Sequence, residues 1–350
     1  MIAIVGASWR TATTMQRAQL AEAAGDALTS LREAGYVTGA ACISTCSRTE
    51  WILTADQPEW AGNLLRSALA ARMPELDQRA LSVRAGGSAV NHLLRVVVGL
   101  DSVAEGESAV ARQVLRAFEH SRTSGLSDRR LRHVWKHVER LIHLRRDTVP
   151  SSRALGVQTL VREELQEREV RTVAILGRGD FGQAMERCLR GANRWEVTTW
   201  SRQSLDEMSK RSFDAIVICT GGPAPWLTLS AKKPALCIDA GAPPQILSAE
   251  GWEQLGLDEL LARPERHLPD EERERLELLV SEASAGLVDA LQTPAPSKAL
   301  AAIDAERVQF LNQELPSLLT GLSAKEARRV RQAVSAFTHK LIQRTRESTS

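Results

Sequence analysis

The sequence predicts a multidomain α/β protein with a mixed α+β N-terminal domain, a doubly wound parallel-sheet domain and an all-α C-terminal region. Three observations predict it. At 350 residues the chain exceeds one ordinary core, so two or three domains are expected. From Val170 the pattern becomes apolar strand, glycine turn, helix and strand, the signature of a sheet covered on both faces. Beyond Pro264 the chain is charged and helical to its end.

In the first half, strands are expected at Ile2 to Val5, Ala40 to Ile43 and Glu50 to Thr54, with helical periodicity from Arg17 to Ala34 and from Glu59 to Ala71. A long helical stretch, Ser88 to Arg146, is broken around Gly99 to Glu107 and around Ser124 to Leu126. Val149-Pro150-Ser151-Ser152 marks a boundary, because proline disfavours helix in the residue before it and serines favour caps and turns. The domains are therefore drawn at 1–150, 151–264 and 265–350.

The middle domain reads strand Val173 to Leu176, turn, helix Gln183 to Arg190 and strand Trp195 to Trp200, then strands at Ala215 to Cys219 and Ala235 to Asp239. In the last region, Asp270 to Leu291 is one long helix, a break falls at Thr293-Pro294-Ala295-Pro296, helix resumes at Ala299, and Gly321-Leu322-Ser323 caps a final helix from Ala324 to Arg346. Leu276, Leu279, Val280, Leu287 and Leu291 give the long helix an apolar face that serves a partner chain or an intramolecular bundle equally well.

Composition sets bounds. Hydrophobic residues at 43% and charged residues at 25% exclude general disorder. A net charge of +2 gives no polyanion signal, so any nucleic-acid contact must be local. Five widely spaced cysteines resist a disulfide framework and read as reduced thiols of a cytoplasmic protein. No stretch approaches the roughly 18 apolar residues of a membrane helix. No CxxC, HxxxH or carboxylate cluster has metal-ligand spacing.

Gly177-Arg178-Gly179-Asp180-Phe181-Gly182 matches GxGxxG between an apolar strand and a helix. The first glycine permits the turn, the second admits a pyrophosphate to the backbone and the third lets helix and strand pack closely. A turn that merely needs glycine is the bland alternative; the flanking elements favour a Rossmann-type dinucleotide site. The next strand ends at Trp200-Ser201-Arg202, where an NAD enzyme presents an acid. Ser201 and Arg202 suit a 2′-phosphate instead, which selects NADPH; otherwise Arg202 is an exposed loop cation.

Two further segments carry chemistry. In Ser44-Thr45-Cys46-Ser47-Arg48-Thr49-Glu50, a cysteine in a polar turn next to an arginine can be exposed with its pKa lowered, although a lone cysteine is more often an incidental thiol. His92 precedes an acidic loop with Asp101, Glu105 and Glu107, and Gln113 follows on the next helix. His92 can relay a proton or sit as a satisfied helix-face histidine, and spacing does not decide between them.

These stretches, STCSRTE, GLDSVAEGE after His92 and the glycine fingerprint, occur in an order and at separations that resemble the glutamyl-tRNA reductase family. The opening GASWRTATTMQR is similar to the family's GxNHKTAPxxxR, and GLSAKEARRVRQAVSAFTHKLI to its terminal helices. The resemblance implies a V-shaped homodimer with a catalytic domain, an NADPH domain and a long helix leading to a dimerisation domain. It implies a Cys46 thioester formed from glutamyl-tRNA and reduced to glutamate-1-semialdehyde for tetrapyrrole synthesis, with glutamate-1-semialdehyde aminotransferase as a partner. His92 would assist proton transfer, Arg48 would pair with the substrate carboxylate, and Thr45, Ser102, Glu107 and Gln113 would line the glutamate pocket. The chain departs from the pattern at Trp9 for histidine, Thr13 for proline, Ser47 for asparagine, and Ser108 and Ala109 for proline and glutamine. Ala242-Pro243-Pro244-Gln245 replaces a Pro-Arg-Asp run. Two other readings stand beside this one: a diverged reductase of another activated acyl group, and a noncatalytic scaffold or regulator.

Overall fold

In the computed structural model, residues 1–148, 156–263, 267–292, 303 and 306–348 are described; the sequence features at 149–152, 293–296 and 299 lie outside them. Residues 1–292 form one compact unit and 293–350 another.

The N-terminal half is built on β1 (Ile2–Ser8), β2 (Gly39–Ser44), β3 (Arg48–Thr54) and β4 (Ser82–Ala85). They form an antiparallel sheet in the order β2-β3-β1-β4. The alternate side chains of β1 enter two cores: Ile2 and Ile4 face one, Ala3, Val5 and Ala7 the other. Helices α1 (Thr14–Ala23), α2 (Gly25–Glu33) and α3 (Pro58–Arg72) cover the second face. The first face is covered by α4 (Gly87–Val98), α5 (Ala109–Thr123) and α6 (Arg129–Thr148). Thr13 caps α1 through a reciprocal box: its hydroxyl accepts from the Gln16 N–H, and the Gln16 side chain accepts from the Thr13 N–H.

A second sheet begins after α7 (Val157–Gln166) with β5 (Thr172–Leu176), α8 (Asp180–Gly191), β6 (Glu196–Trp200), the short α9 (Leu205–Met208), β7 (Ala215–Ile218), β8 (Leu227–Asp239), β9 (Ile246–Gly256) and α10 (Leu257–Leu261). All its pairs are parallel, in the order β6-β5-β7-β8-β9. The chain goes from β5 to one side and then crosses to the other, which opens a crevice at the carboxyl ends of β5 and β7, where doubly wound sheets bind ligands. The predicted strand at Ala235 to Asp239 is the end of a longer one, and β9 has no counterpart in the sequence reading.

The long helix α11 (Asp270–Gln292) resolves an alternative the sequence left open. Leu276, Val280, Leu287 and Leu291 are buried in the first core, with α4 and α6 as the helix neighbours. That apolar face is used within the chain. In the second unit, α12 (Leu315–Leu318) precedes α13 (Ala324–Ser348), whose start is fixed by a Ser323–Glu326 capping box. Among the described residues, no helix is long and apolar enough to cross a membrane.

Candidate active site

The β2–β3 turn carries Cys46. Thr45 and Arg48 close it: the Thr45 N–H donates to the Arg48 carbonyl at 2.8 Å, and the Thr45 hydroxyl accepts from the Ser47 and Arg48 N–H groups, each at 3.2 Å. The Trp9 N–H donates to the Ser47 carbonyl at 2.8 Å and holds the turn against the β1–α1 loop. Cys46 is partly exposed, in a cleft of about 380 Å³ that also has Thr14, Arg17 and Thr45 in its wall. The far wall is Gly222-Pro223 and Ala242-Pro243, from the loops after β7 and β8. The thiol therefore faces the carboxyl end of the parallel sheet.

A second loop, between α4 and α5, is folded onto this turn. Gly99 ends α4 with φ at 84°, and a side chain there would meet the Glu107 backbone at 2.6 Å. The Gly106 N–H donates to the Gly99 carbonyl at 3.0 Å. Arg145, buried on α6, donates to the Val98 and Gly106 carbonyls at 3.0 and 2.6 Å and pins both ends of the loop.

The loop's three acids have different fates. Glu105 is buried, accepts from the Leu268 N–H at 3.1 Å and lies 3.5 Å from Arg273, so its work is structural. Asp101 meets Arg48 at 3.3 Å, Arg10 at 2.8 Å and His92 at 3.5 Å. Glu107 has its carboxylate beside Gly156, and burial pushes it up to about 7 against the pull of Arg48. Ser102 is buried in the same loop and Gln113 is half-buried on α5.

Arg48 is 1% exposed, its Nη1 between Glu50 at 3.3 Å and Asp101, and its Nη2 donating to the Asp101 carbonyl. His92 Nε2 lies 2.8 Å from Glu50 Oε1. Burial pushes Glu50 up, but Arg48 and His92 outweigh it and hold the carboxyl at about 2. The structure thus gathers buried Arg48, Glu50 and His92 and the half-buried Asp101 into one cluster, with Cys46 two residues before Arg48 in the turn. Trp9, where the family pattern has histidine, has Arg10 4.1 Å and Arg48 5.7 Å from its ring centre.

The expectation that cations lower the Cys46 pKa is corrected. Burial, then Glu107, pushes the thiol up to about 12, and Arg17 and Arg48 offset only part of that. Arg17 is the neighbour the sequence reading missed. It is 2% exposed, and its Nη2 donates to the Cys46 carbonyl at 2.7 Å. It also sits 3.6 Å from Asp258 on α10, and Asp258 accepts from the Thr14 hydroxyl at 2.5 Å and the Thr14 N–H at 2.9 Å. The register of α1 against the turn brings Arg17 there; its one signal in the sequence is that it closes the GASWRTATTMQR stretch, where it carried no assigned role.

The glycine fingerprint has the geometry its pattern implies. Gly177 has φ at 132° and lies against the Cys219 backbone, where a side chain would meet it at 2.6 Å. A side chain at Gly182 would meet the Gly177 carbonyl at 2.0 Å, whereas one at Gly179 would meet nothing within 4 Å. The second glycine thus leaves open space before the first turn of α8, where a pyrophosphate fits. The Thr220 hydroxyl, beside this turn, is buried without a hydrogen-bond partner, an orphan a bound dinucleotide would satisfy. Arg178 donates to the Thr199 carbonyl at 3.2 Å, Phe181 packs into the core, and Asp180 pairs with Arg116 at 2.7 Å. Ser201 bonds Ser204, while Arg202 crosses to the Gly221 carbonyl and stacks 4.5 Å from the Trp226 ring centre. The residues present fit a dinucleotide.

Residues 5–141 match the family model described as glutamyl-tRNAGlu reductase, N-terminal domain. The glutamyl-tRNA reductase of Exiguobacterium sp. is 26% identical over 326 residues, 81% of this chain and 73% of that protein. That of Moorella thermoacetica is 30% identical over 240 residues, 64% of this chain and 52% of that protein, so the match spans about half the relative's length. The solved glutamyl-tRNA reductase from Methanopyrus kandleri aligns over 100% of this chain and 99% of its own at 20% identity, with a TM-score of 0.44.

Proposed function

The chain belongs to the glutamyl-tRNA reductase family, and from that premise we propose that it reduces the glutamyl group of glutamyl-tRNA to glutamate-1-semialdehyde through a thioester on Cys46. The observation that carries this reading is the Cys46 cleft, whose second wall is the carboxyl end of the parallel sheet. In it, the Cys46 thiolate attacks the acyl carbon and the tRNA ribose oxygen leaves, which splits one difficult reduction into two steps. NADPH, when bound, supplies the hydride that turns the thioester into an aldehyde and frees the thiolate. Gly177 to Gly182 hold the pyrophosphate, Thr220 adds its hydroxyl, and Ser201 and Arg202 take the 2′-phosphate.

Arg48 receives the substrate carboxylate. Asp101 is the partner it exchanges, because Asp101 is 21% exposed whereas Glu50 is 4% exposed. Glu50 stays and keeps the buried guanidinium neutralised. His92, with Glu50 on one ring nitrogen and Asp101 near the other, assists proton transfer through that pair. Thr45, Ser102, Glu107 and Gln113 border the glutamate pocket. A homodimer, and hand-over of the aldehyde to glutamate-1-semialdehyde aminotransferase, complete the proposal.

The elevated Cys46 pKa favours a second reading, a chain that keeps the fold without the activity. Incubation with charged tRNA and NADPH decides between them: aldehyde formation with matching NADPH consumption supports the reductase, and neither product with either cofactor refutes it.

A further inference from the structure

Helix α6 exposes Arg129, Arg132, Lys136, Arg140, His143 and Arg146. Their spacing of three or four residues places them in a single row about 25 Å long, opposite the buried face of Leu131, Val134, Val138, Leu141 and Ile142. Other exposed helices of this chain set an acid beside such cations: Arg122 pairs with Glu119, Arg190 with Glu186 and Arg275 with Glu271. Along α6 the neighbours at three and four residues are mostly other cations, an arrangement that weakens a helix, with Glu139 and Asp147 the exposed acids interspersed among them. Among the described residues, no ion pair holds any of the four arginines or the lysine of the row, whereas Arg130, just off it, is tied to Asp56 at 2.6 Å.

The field is felt next to the row. His133 is held below the ordinary imidazole range by burial and then by Arg129, Lys136, His137 and Arg132. The row also has a direction. Arg146 follows Arg145, whose guanidinium bonds the Gly106 carbonyl one residue before Glu107. One end of the row therefore abuts the loop that folds onto the Cys46 turn.

We propose that the α6 row docks the phosphodiester backbone of a structured RNA, with the RNA's reactive end directed toward Cys46. Steps of about 4.5 to 6 Å between successive cations suit a line of phosphates, and neutralising them releases condensed counterions. The chain's net charge of +2 hides this surface because acids elsewhere balance it. The proposal rests on the reading of glutamyl-tRNA as substrate and adds where the RNA lies.

The test measures equilibrium binding of full-length protein to fluorescent, uncharged tRNA(Glu) between 50 and 300 mM salt. The variants are Arg132→Gln/Lys136→Gln/Arg140→Gln and a control of equal charge change, Arg66→Gln/Arg72→Gln/Arg79→Gln. Glutamine keeps the helix, and circular dichroism with unchanged Cys46 alkylation verifies the fold. The row variant should bind about 10- to 100-fold more weakly at 100 mM salt, with a log–log salt slope reduced by about 2 to 3. The control should stay within about threefold of wild type. Wild-type affinity and slope in the row variant overturn the proposal, as does an equal loss in the control. Row-dependent binding to phosphatidylserine vesicles with RNA binding unchanged also overturns it, in favour of a membrane surface. The reductase reading fails separately, if charged tRNA yields no aldehyde while uncharged tRNA still binds through the row.

Discussion

Glu107→Gln isolates the electrostatics of the thiol. Burial and Glu107 raise Cys46 from its ordinary 9.0 to about 12. At pH 7 that leaves about one thiol in 10⁵ ionised, against about one in 10² at the ordinary value. Glutamine preserves the volume and the burial and removes one negative charge, so only the smaller of the two causes is relieved. We expect Cys46 to alkylate with iodoacetamide about 3- to 10-fold faster in the variant at pH 8. Glu107 itself sits at about 7, so its charge is present above that pH and absent below it. The acceleration should fade as pH falls below about 6, where both proteins have a neutral group at 107. Peptide mapping separates Cys46 from the other four cysteines. Slower alkylation in the variant would refute the reasoning, because Glu107 would then be acting as the base that takes the thiol proton. A pH-independent acceleration would refute it as well, by pointing to altered packing.

Asp258→Asn should loosen the contact of α10 with Thr14 and Arg17; hydrogen exchange at the start of α1 should quicken and kcat fall about 10-fold with NADPH affinity unchanged, and unchanged exchange would remove Asp258 from that role. Arg202→Ala should weaken NADPH by about 1 to 3 kcal/mol and NADH far less, read by titration of cofactor fluorescence; equal losses would make Arg202 a support for Trp226 and the Gly221 loop. Glu50 is held down to about 2 from 4.5 in the fold, so its share of stability is full above 4.5 and is lost as pH falls toward 2. Urea unfolding in that window should show a shallower pH dependence for Glu50→Gln than for wild type, and parallel curves would refute the ion-pair assignment.

Much of the fold was legible because periodicity was strong. The strand at Val173 to Leu176 is a continuous apolar run before a glycine turn, and both breaks in the long N-terminal helical stretch fall on glycine-containing segments. β4 and β9 were not legible. Ser82–Ala85 is four half-buried residues on a sheet edge, and Ile246–Gly256 is a mostly exposed edge strand without an apolar alternation. The fingerprint residues were legible because they act locally, within one turn. Thr220 and Asp258 were not, since they matter through packing between segments distant in the chain, and Arg17 was visible only as the last residue of the opening motif, without its contact to Cys46. The same holds for the thiol: adjacency to Arg48 implied activation, but in three dimensions Arg48 belongs to Glu50 and Asp101, and burial beside Glu107 dominates Cys46.

The central claim, a covalent glutamyl thioester on Cys46, is tested most directly by single turnover with tRNA carrying labelled glutamate and no NADPH. The account predicts label retained on the wild-type protein through acid precipitation, released by hydroxylamine or by adding NADPH, mapped to the Cys46 peptide and absent from Cys46→Ser. Label retained at the wild-type level in Cys46→Ser, or aldehyde formed by that variant, would contradict it.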